Sequence, residues 1–446
     1  MQKKKILILT FYWPPSGGIG VQRWLRFVNH LDHIGWEVVV YTAKNASYPV
    51  RDEQLLSKVP SSVREWKTEV PEPNAWISKL LFWKKSKSTL LYKNQQQGGN
   101  SKSLVQKFLW YVRGNVFIPD ARFLWIKPSI RFLRQQLRKE KFDIIVSTGP
   151  PHSMHLIAKQ LKKEFDTPWI SDFRDPWTSM DYLDEMFLTK KARAKHTRLE
   201  ESVLRNSDKV VVVGRTMYEE FKSKYNIDSI IIWNGYEGVP ASPEGLILDK
   251  KFTIAHIGSF LYKRNCDDLW KVLAALVTGH KSFAQNLEIK LVGNVATNIL
   301  ESISHFGLDT YLNKIDFVPH EQAKAFQESA QVLLLPIDRI HNAEFVITGK
   351  LFEYLKSGRP ILMIGPENGD AAEIIDTCKA GYCCNFDDTA KIKSSILEMF
   401  DRFLVNRNNI QSENIERYSM ANLSRNYTNL FNQVISAASN PKQQTK

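Results

Sequence analysis

The sequence predicts an α/β protein with two Rossmann-like lobes facing a central cleft, on three observations. Short β-branched runs alternate with amphipathic stretches along the 446 residues, the rhythm of βα units on a parallel sheet. The runs fall into two series, more than one layer accommodates, divided by a stretch where Gly and Pro punctuate the chain. The composition, 43% hydrophobic with 24 Phe, 15 Tyr and 12 Trp, supplies apolar surface for two cores and excludes a disordered chain.

In chain order, strands are predicted at 5–9, 37–41, 143–147, 168–171, 209–213 and 230–233. A second series follows at 252–257, 288–292, 314–318, 331–335, 360–364 and 381–385. The punctuated boundary runs from Asn234 to Pro243. The predicted organisation is a first lobe over 1–237 with a basic and aromatic insertion at 76–141, a linker at 238–250, a second lobe over 251–411 and a last helix within 412–437. In that helix Ile415, Tyr418, Leu423, Tyr427, Leu430, Phe431 and Val434 recur at spacings near three and four, so one face needs burial. Residues 95–101 read as a polar loop.

Several classes fall away at this stage. No apolar run approaches the ~18 residues needed to span a bilayer. Lys3-Lys4-Lys5 followed by Ile6 to Leu9 imitates a signal peptide, but runs into Pro14-Pro15 without a small-x-small cleavage site, and is read as a buried strand. Cys266, Cys378, Cys383 and Cys384 make neither a disulfide framework nor a paired C-x-x-C metal site, which points to a reducing, cytoplasmic compartment. No metal site is expected.

The charge is uneven. Between Trp76 and Lys141 stand fifteen Lys and Arg against Asp120 and Glu140, almost the whole net +14 of the chain. They are interleaved with Trp76, Leu80, Leu81, Phe82, Trp83, Phe108, Leu109, Trp110 and Tyr111. Such a surface suits anionic lipid headgroups or a phosphate backbone; over 131–141 it also suits the solvated face of a helix. No nucleic-acid-binding signature accompanies it. The expected partner is therefore an anionic membrane surface, with the chain held peripherally at its inner face, and no nucleic acid.

Four segments carry chemistry. After the first strand comes Pro14-Pro15-Ser16-Gly17-Gly18-Ile19-Gly20 and a helix predicted over 21–31. Gly17 and Gly18 let backbone approach a ligand, and the helix start is a ready anion site; a structural glycine turn is the alternative. A dinucleotide fingerprint is incomplete, because Arg23 stands where the third glycine belongs and the second strand ends in Tyr41-Thr42 rather than an acid. Later strand ends read Ser147-Thr148-Gly149-Pro150-Pro151-His152 and Ser171-Asp172-Phe173-Arg174-Asp175-Pro176-Trp177. Proline there turns the chain and leaves His152, Arg174 and Asp175 beside the cleft as catalytic candidates. The alternative is a loop-fixing Arg174–Asp175 pair and a structural histidine.

In the second lobe Ile257-Gly258-Ser259-Phe260 ends a strand and Lys263-Arg264 follow, cations suited to a diphosphate or to a solvated loop. Residues 344–361 read as a loop, a helix opened by Thr348 as N-cap, a stop at Gly358 and a strand. Lys350 and Glu353 lie on the arc opposite Leu351, Phe352, Tyr354 and Leu355, which suits a ligand or bulk solvent.

In this order the segments resemble the retaining family 4 glycosyltransferases of GT-B fold, in a bacterial branch with a Gly-Lys-x-Phe-Glu-Tyr-Leu signature. The likeness extends over nearly the whole chain, Trp233-Asn234-Gly235 at the hinge included. It implies transfer of a sugar from a nucleotide-sugar donor to a lipid-linked or polysaccharide (glycan) acceptor, with retention, without metal and without a cofactor. The first lobe would take the acceptor and the second the donor, with the last helix crossing back to the first lobe. Glu353 would bind the donor ribose, Lys263 or Arg264 its diphosphate, and Thr348, Gly349 and Lys350 would surround its phosphates. The family's usual acid eight positions before Glu353 is Phe345 here, with Glu344 one place early, and Thr148 stands where many members carry histidine. No D-x-D occurs. Two rivals remain: a GT-B-fold nucleotide-sugar epimerase, and a non-catalytic membrane or nucleic-acid binder using the basic segment.

Overall fold

Two parallel sheets organise the chain, each with helices on both faces. The computed structural model describes residues 3–48, 50–71, 104–241, 246–408, 410 and 412–439. The chain divides into two units: one holds the described residues up to Gly235 together with the C-terminal helix, the other the described residues of Tyr236–Ser419.

The first unit contains β1 (Lys5–Leu9), β2 (Glu37–Ala43), β3 (Arg64–Thr68), β4 (Ile144–Gly149), β5 (Trp169–Phe173), β6 (Lys209–Val212) and β7 (Ile230–Ile231). They lie parallel in the order β3-β2-β1-β4-β5-β6-β7. The helices named below are α1 (Ile19–His33), α2 (Leu104–Asn115), α3 (Ile126–Leu137), α4 (Ser153–Phe165), α5 (Lys190–Asn206) and α6 (Arg215–Tyr225). Ile6 of β1 pairs with Val38 on one side and Ile144 on the other. The strand order therefore reverses at β1, a topological switch point. Strand β3 was not predicted: Arg64-Glu65-Trp66-Lys67-Thr68 is a half-exposed edge strand with no apolar run.

The C-terminal helix, Met420–Ser439, packs its Leu423, Tyr427, Leu430, Phe431 and Val434 into the same core as β1, β2, β4 and the Val21, Trp24, Leu25 and Val28 face of α1. This confirms the return to the first lobe. The helix starts later than expected, because Ile415–Tyr418 form a separate turn in the second unit, where the Tyr418 ring meets Phe352 at 5.7 Å.

The basic insertion is corrected in part. Trp76, Leu80, Leu81, Phe82 and Trp83, with Lys79, Lys84, Lys85, Lys87, Lys93, Lys102 and the loop 95–101, lie outside the described residues. Beyond them the segment is largely lobe structure. Trp125 is wholly buried and stacks on Tyr41 at 5.3 Å, and Leu133 and Leu137 of α3 face the core. Arg134 pairs with Glu164, and Arg64 with Glu140. The solvated-face alternative fits Arg131, Arg138, Lys139 and Lys141, which are exposed.

The second unit contains β8 (Phe252–Ile257), β9 (Leu287–Val292), β10 (Leu312–Ile315), β11 (Val332–Pro336), β12 (Ile361–Ile364) and β13 (Gly381–Cys384). Their order is β10-β9-β8-β11-β12-β13, again parallel. Strand β8, between β9 and β11, is its switch point. Its longer helices are α7 (Asp267–Gly279), α8 (Thr297–His305), α9 (His320–Ser329), α10 (Gly349–Ser357), α11 (Asp370–Thr377) and α12 (Thr389–Leu404). Strands β8, β11 and β12 read as continuous apolar runs because both faces of the sheet are covered.

Candidate active site

In the second unit the loops after β8 and β11 leave neighbouring parallel strands at their carboxyl ends, where such sheets bind ligands. They are tied to one another. The Arg264 guanidinium donates through Nε and Nη2 to Asp338 Oδ2 at 3.1 and 2.8 Å, and Arg339 N donates to the Lys263 carbonyl at 2.9 Å. Lys350, in the first turn of α10, donates to the Ser259 carbonyl at 3.2 Å. Burial pushes the Lys350 amine down to about 8, with the Arg264 charge acting in the same direction and Glu353 and Asp338 opposing. Below it, His256 is held down to about 3 by burial and then by the Lys350 charge, so its ring is neutral.

Gly258 has φ +106, and a Cβ there would lie 2.7 Å from Lys350 Cε. The glycine therefore makes room for the lysine in a conformation other residues avoid. Gly258→Ala is expected to destabilise the second unit by more than about 1 kcal/mol, read as a lower denaturant midpoint.

Thr348 stands at the N-cap position of α10 but makes no capping bond, which corrects the expected cap. Its hydroxyl is buried without a partner. Glu353, one turn into the helix and half-buried, accepts from Gln327 Nε2 of α9 at 3.2 Å. The structure thus assembles Gly258, Arg264, Thr348, Gly349, Lys350 and Glu353 in one region of the second unit, while Lys263 lies exposed at its edge. A helix start and half-buried cations suit an anionic group, and a carboxylate suits a hydroxyl pair.

The first unit builds a different arrangement. Gly17 and Gly18 precede α1; Gly18 has φ +88 with open space where a Cβ would point. Arg174 ties the start of α1 to the end of β4 through backbone carbonyls: Nη1 donates to Gly20 at 2.7 Å, Nε to Gly149 at 3.3 Å and Nη2 to Pro150. Asp175 is half-buried, and burial raises its carboxyl while Arg174 opposes that shift. His152 does not stand in the open as expected. It is buried, stacked on Trp177 with ring centroids 4.7 Å apart, and burial followed by the charges of His155 and Arg174 holds it well below its usual value. Neither of its ring nitrogens has a hydrogen-bond partner.

The residue that sequence reasoning passed over is Asp172. It is fully buried and accepts from Arg23 Nη2 (3.0 Å), Tyr427 Oη (2.6 Å), Trp24 Nε1 (2.7 Å) and Thr148 Oγ1 (2.8 Å). Burial alone would raise its carboxyl, but Arg23 and these donors bring it below its usual value. Arg23 also donates to the Ile232 and Trp233 carbonyls. The only visible hint was a cation inside the apolar face of α1. Asp338, the partner of Arg264, had no signal at all.

Residues 97–237 match the family described as Glycosyltransferase Family 4. Comparison with curated proteins gives no match. Among solved structures, a glycosyltransferase from Rickettsia africae ESF-5 superposes with a TM-score of 0.62 at 12% identity, covering 98% of this chain and 99% of that one. Anabaena Alr3699/HepE in complex with UDP gives 0.60 at 10% identity, covering 96% and 100%. A variant of S. aureus TarM in complex with Fondaparinux, alpha-GlcNAc-glycerol and UDP gives 0.58 at 12% identity, again covering 96% and 100%. At these identities the structures establish a shared GT-B-like architecture of two parallel Rossmann-like sheets. The Glycosyltransferase Family 4 match is thus confined to residues 97–237, less than half of the chain, while the GT-B-like architecture is shared over nearly all of it.

Proposed function

We propose that the protein transfers a sugar from a UDP-sugar to a lipid-linked or polysaccharide acceptor, with retention and without a metal, from a peripheral position on the cytoplasmic face of a membrane. The observation that carries the donor half is the set of donors around the switch point of the second unit: the half-buried Lys350 amine with its lowered pKa, the buried and partnerless Thr348 hydroxyl and the start of α10. The UDP bound by the Anabaena and S. aureus proteins supports the choice of nucleotide.

In the reaction the bond from sugar C1 to the β-phosphate oxygen breaks and the diphosphate leaves with the electron pair. The acceptor hydroxyl oxygen bonds to C1, and its proton passes to the departing phosphate oxygen. Lys350, Thr348 and the N–H groups of α10 meet the developing negative charge, the stabilisation such a site supplies best. Lys263 or Arg264 adds a cation; Asp338 holds Arg264 in place meanwhile. Gly258 lets the diphosphate approach the backbone, and Glu353 accepts the ribose hydroxyls. In the first lobe, which takes the acceptor, Gly17 and Gly18 line the approach, Asp175 orients the acceptor hydroxyl, Arg174 is a positioning residue, and His152 supports the Trp177 wall.

UDP titrated calorimetrically into Glu353→Gln is expected to bind about tenfold to hundredfold more weakly than to the parent, the ~1.5–3 kcal/mol of a hydrogen bond to a charged group. Unaltered affinity would remove the ribose assignment. Release of free UDP from a UDP-sugar only when acceptor is present distinguishes transfer from epimerisation.

A further inference from the structure

We propose that the end of α2 and the loop 186–189 form a docking surface for an anionic lipid bilayer, in which aromatic rings enter the interface and lysines meet the headgroups. Phe108 and Tyr111 stand one turn apart on α2 and are 61% and 41% exposed. Asn115, one further turn along that face, binds the neighbouring loop: its Nδ2 donates to the Phe187 carbonyl at 3.2 Å, and its Oδ1 accepts from Thr189 N at 2.8 Å. Gly114 lets the loop lie directly on the helix, since a Cβ there would meet Leu188 and Met186 at 2.7 Å.

This clamp holds Phe187 in an unfavourable place. Its φ is +52, a left-handed conformation costly for a bulky residue, and its ring is 53% exposed. Among the described residues, none covers the ring enough to repay that strain through burial. An aromatic side chain strained outward beside two others is the shape of an insertion tip.

The charge around the tip selects the occupant. Lys107 on α2 and Lys190 and Lys191 at the start of α5 are exposed. The loop's nearby acid Asp184 is already paired with Arg193 at 2.8 Å, and Glu185 is half-buried. Apolar rings ringed by cations match an anionic bilayer surface, which a basic amphipathic element binds through buried apolar area and headgroup attraction together. The surface deepens the acceptor half of the proposed function, since a lipid-linked acceptor is met at a membrane, yet it uses no residue of the donor region.

Flotation of the full-length protein tests it, with phosphatidylcholine vesicles containing phosphatidylglycerol compared against phosphatidylcholine alone. The parent is expected to float with the anionic vesicles, less so as salt rises. Phe187→Gly combined with Phe108→Ser is expected to partition roughly tenfold less. Lys190→Glu with Lys191→Glu is expected to abolish the preference for anionic lipid. Phe187→Gly alone relieves the backbone and is expected to melt no lower than the parent, a result that a structural ring would not give. Unchanged partitioning of the ring variant overturns the proposal. So does equal flotation of the parent on neutral vesicles, or a parent that binds soluble polyanions and no vesicle. UDP affinity, measured in parallel, fails or holds independently of each of these outcomes.

Discussion

Asp172→Ala is expected to lower folding stability by about 3–5 kcal/mol, the penalty of stranding one charge of a buried pair. Arg23 would remain buried at 4% exposure, facing carbonyls and the Tyr427 hydroxyl with no carboxylate near it. Tyr427 and Trp24 would lose their acceptor in the same step. Tyr427→Phe, which removes one donor and leaves the pair intact, is expected to lose only about 1 kcal/mol. Denaturant unfolding of the two variants measures both values, and similar losses for the two would refute the charge argument. The pair also sets an acid limit. Because the folded carboxyl titrates below its ordinary value, its contribution is complete above about pH 4 and is lost as pH falls through the lowered folded pKa.

Lys350→Met is expected to weaken UDP binding by about 2–5 kcal/mol, the range for truncating one member of a desolvated charge pair. The pH dependence distinguishes this lysine from an ordinary surface cation. With the amine of the free protein at about 8, a bound diphosphate favours the ammonium form and raises that pKa, so binding takes up a proton. Affinity is therefore full below about pH 8 and falls by up to about tenfold per pH unit above it, until the raised pKa of the complex is reached. The nucleotide's own phosphate proton is lost near about pH 6 and does not intrude. Calorimetry across this range in buffers of different ionisation enthalpy reads the uptake directly. Lys350→Arg, which cannot deprotonate, is expected to bind UDP with a flat profile, and a sloping one would refute the assignment.

The strands of both sheets were legible because parallel strands buried on two faces are written as apolar runs, as at Ile6 to Leu9 and Val332 to Leu335. The half-exposed edge strand β3 escaped for the opposite reason: Arg64 and Lys67 face solvent and no run remains. The Gly258, Lys350 and Glu353 region was legible as a pattern, because a glycine after one strand and a capped-looking helix after another mark two loops of a βα fold. Which partner each charge takes was not legible. Asp338 lies 74 residues from Arg264, and Tyr427 lies 255 from Asp172; no local spacing encodes such pairs. His152 was misjudged because a proline turn predicts where the backbone goes, while its burial depends on Trp177 folding over it from another loop.

The C-terminal helix gives the two units unequal histories. Tyr236–Ser419 is one continuous stretch whose sheet and helices are all available before any later residue emerges from the ribosome. The first unit begins earlier yet lacks Tyr427, Leu430 and Phe431, which belong to its own core, until the helix Met420–Ser439 arrives. At about 5–20 residues per second, the apolar face of α1 waits for roughly the whole time needed to make the second unit. The lobe translated first is thus completed last, with Asp172 and Arg23 unable to close their network around Tyr427 until then. During that interval the uncovered groove beside Trp24 and Phe27 is where a chaperone would find this chain.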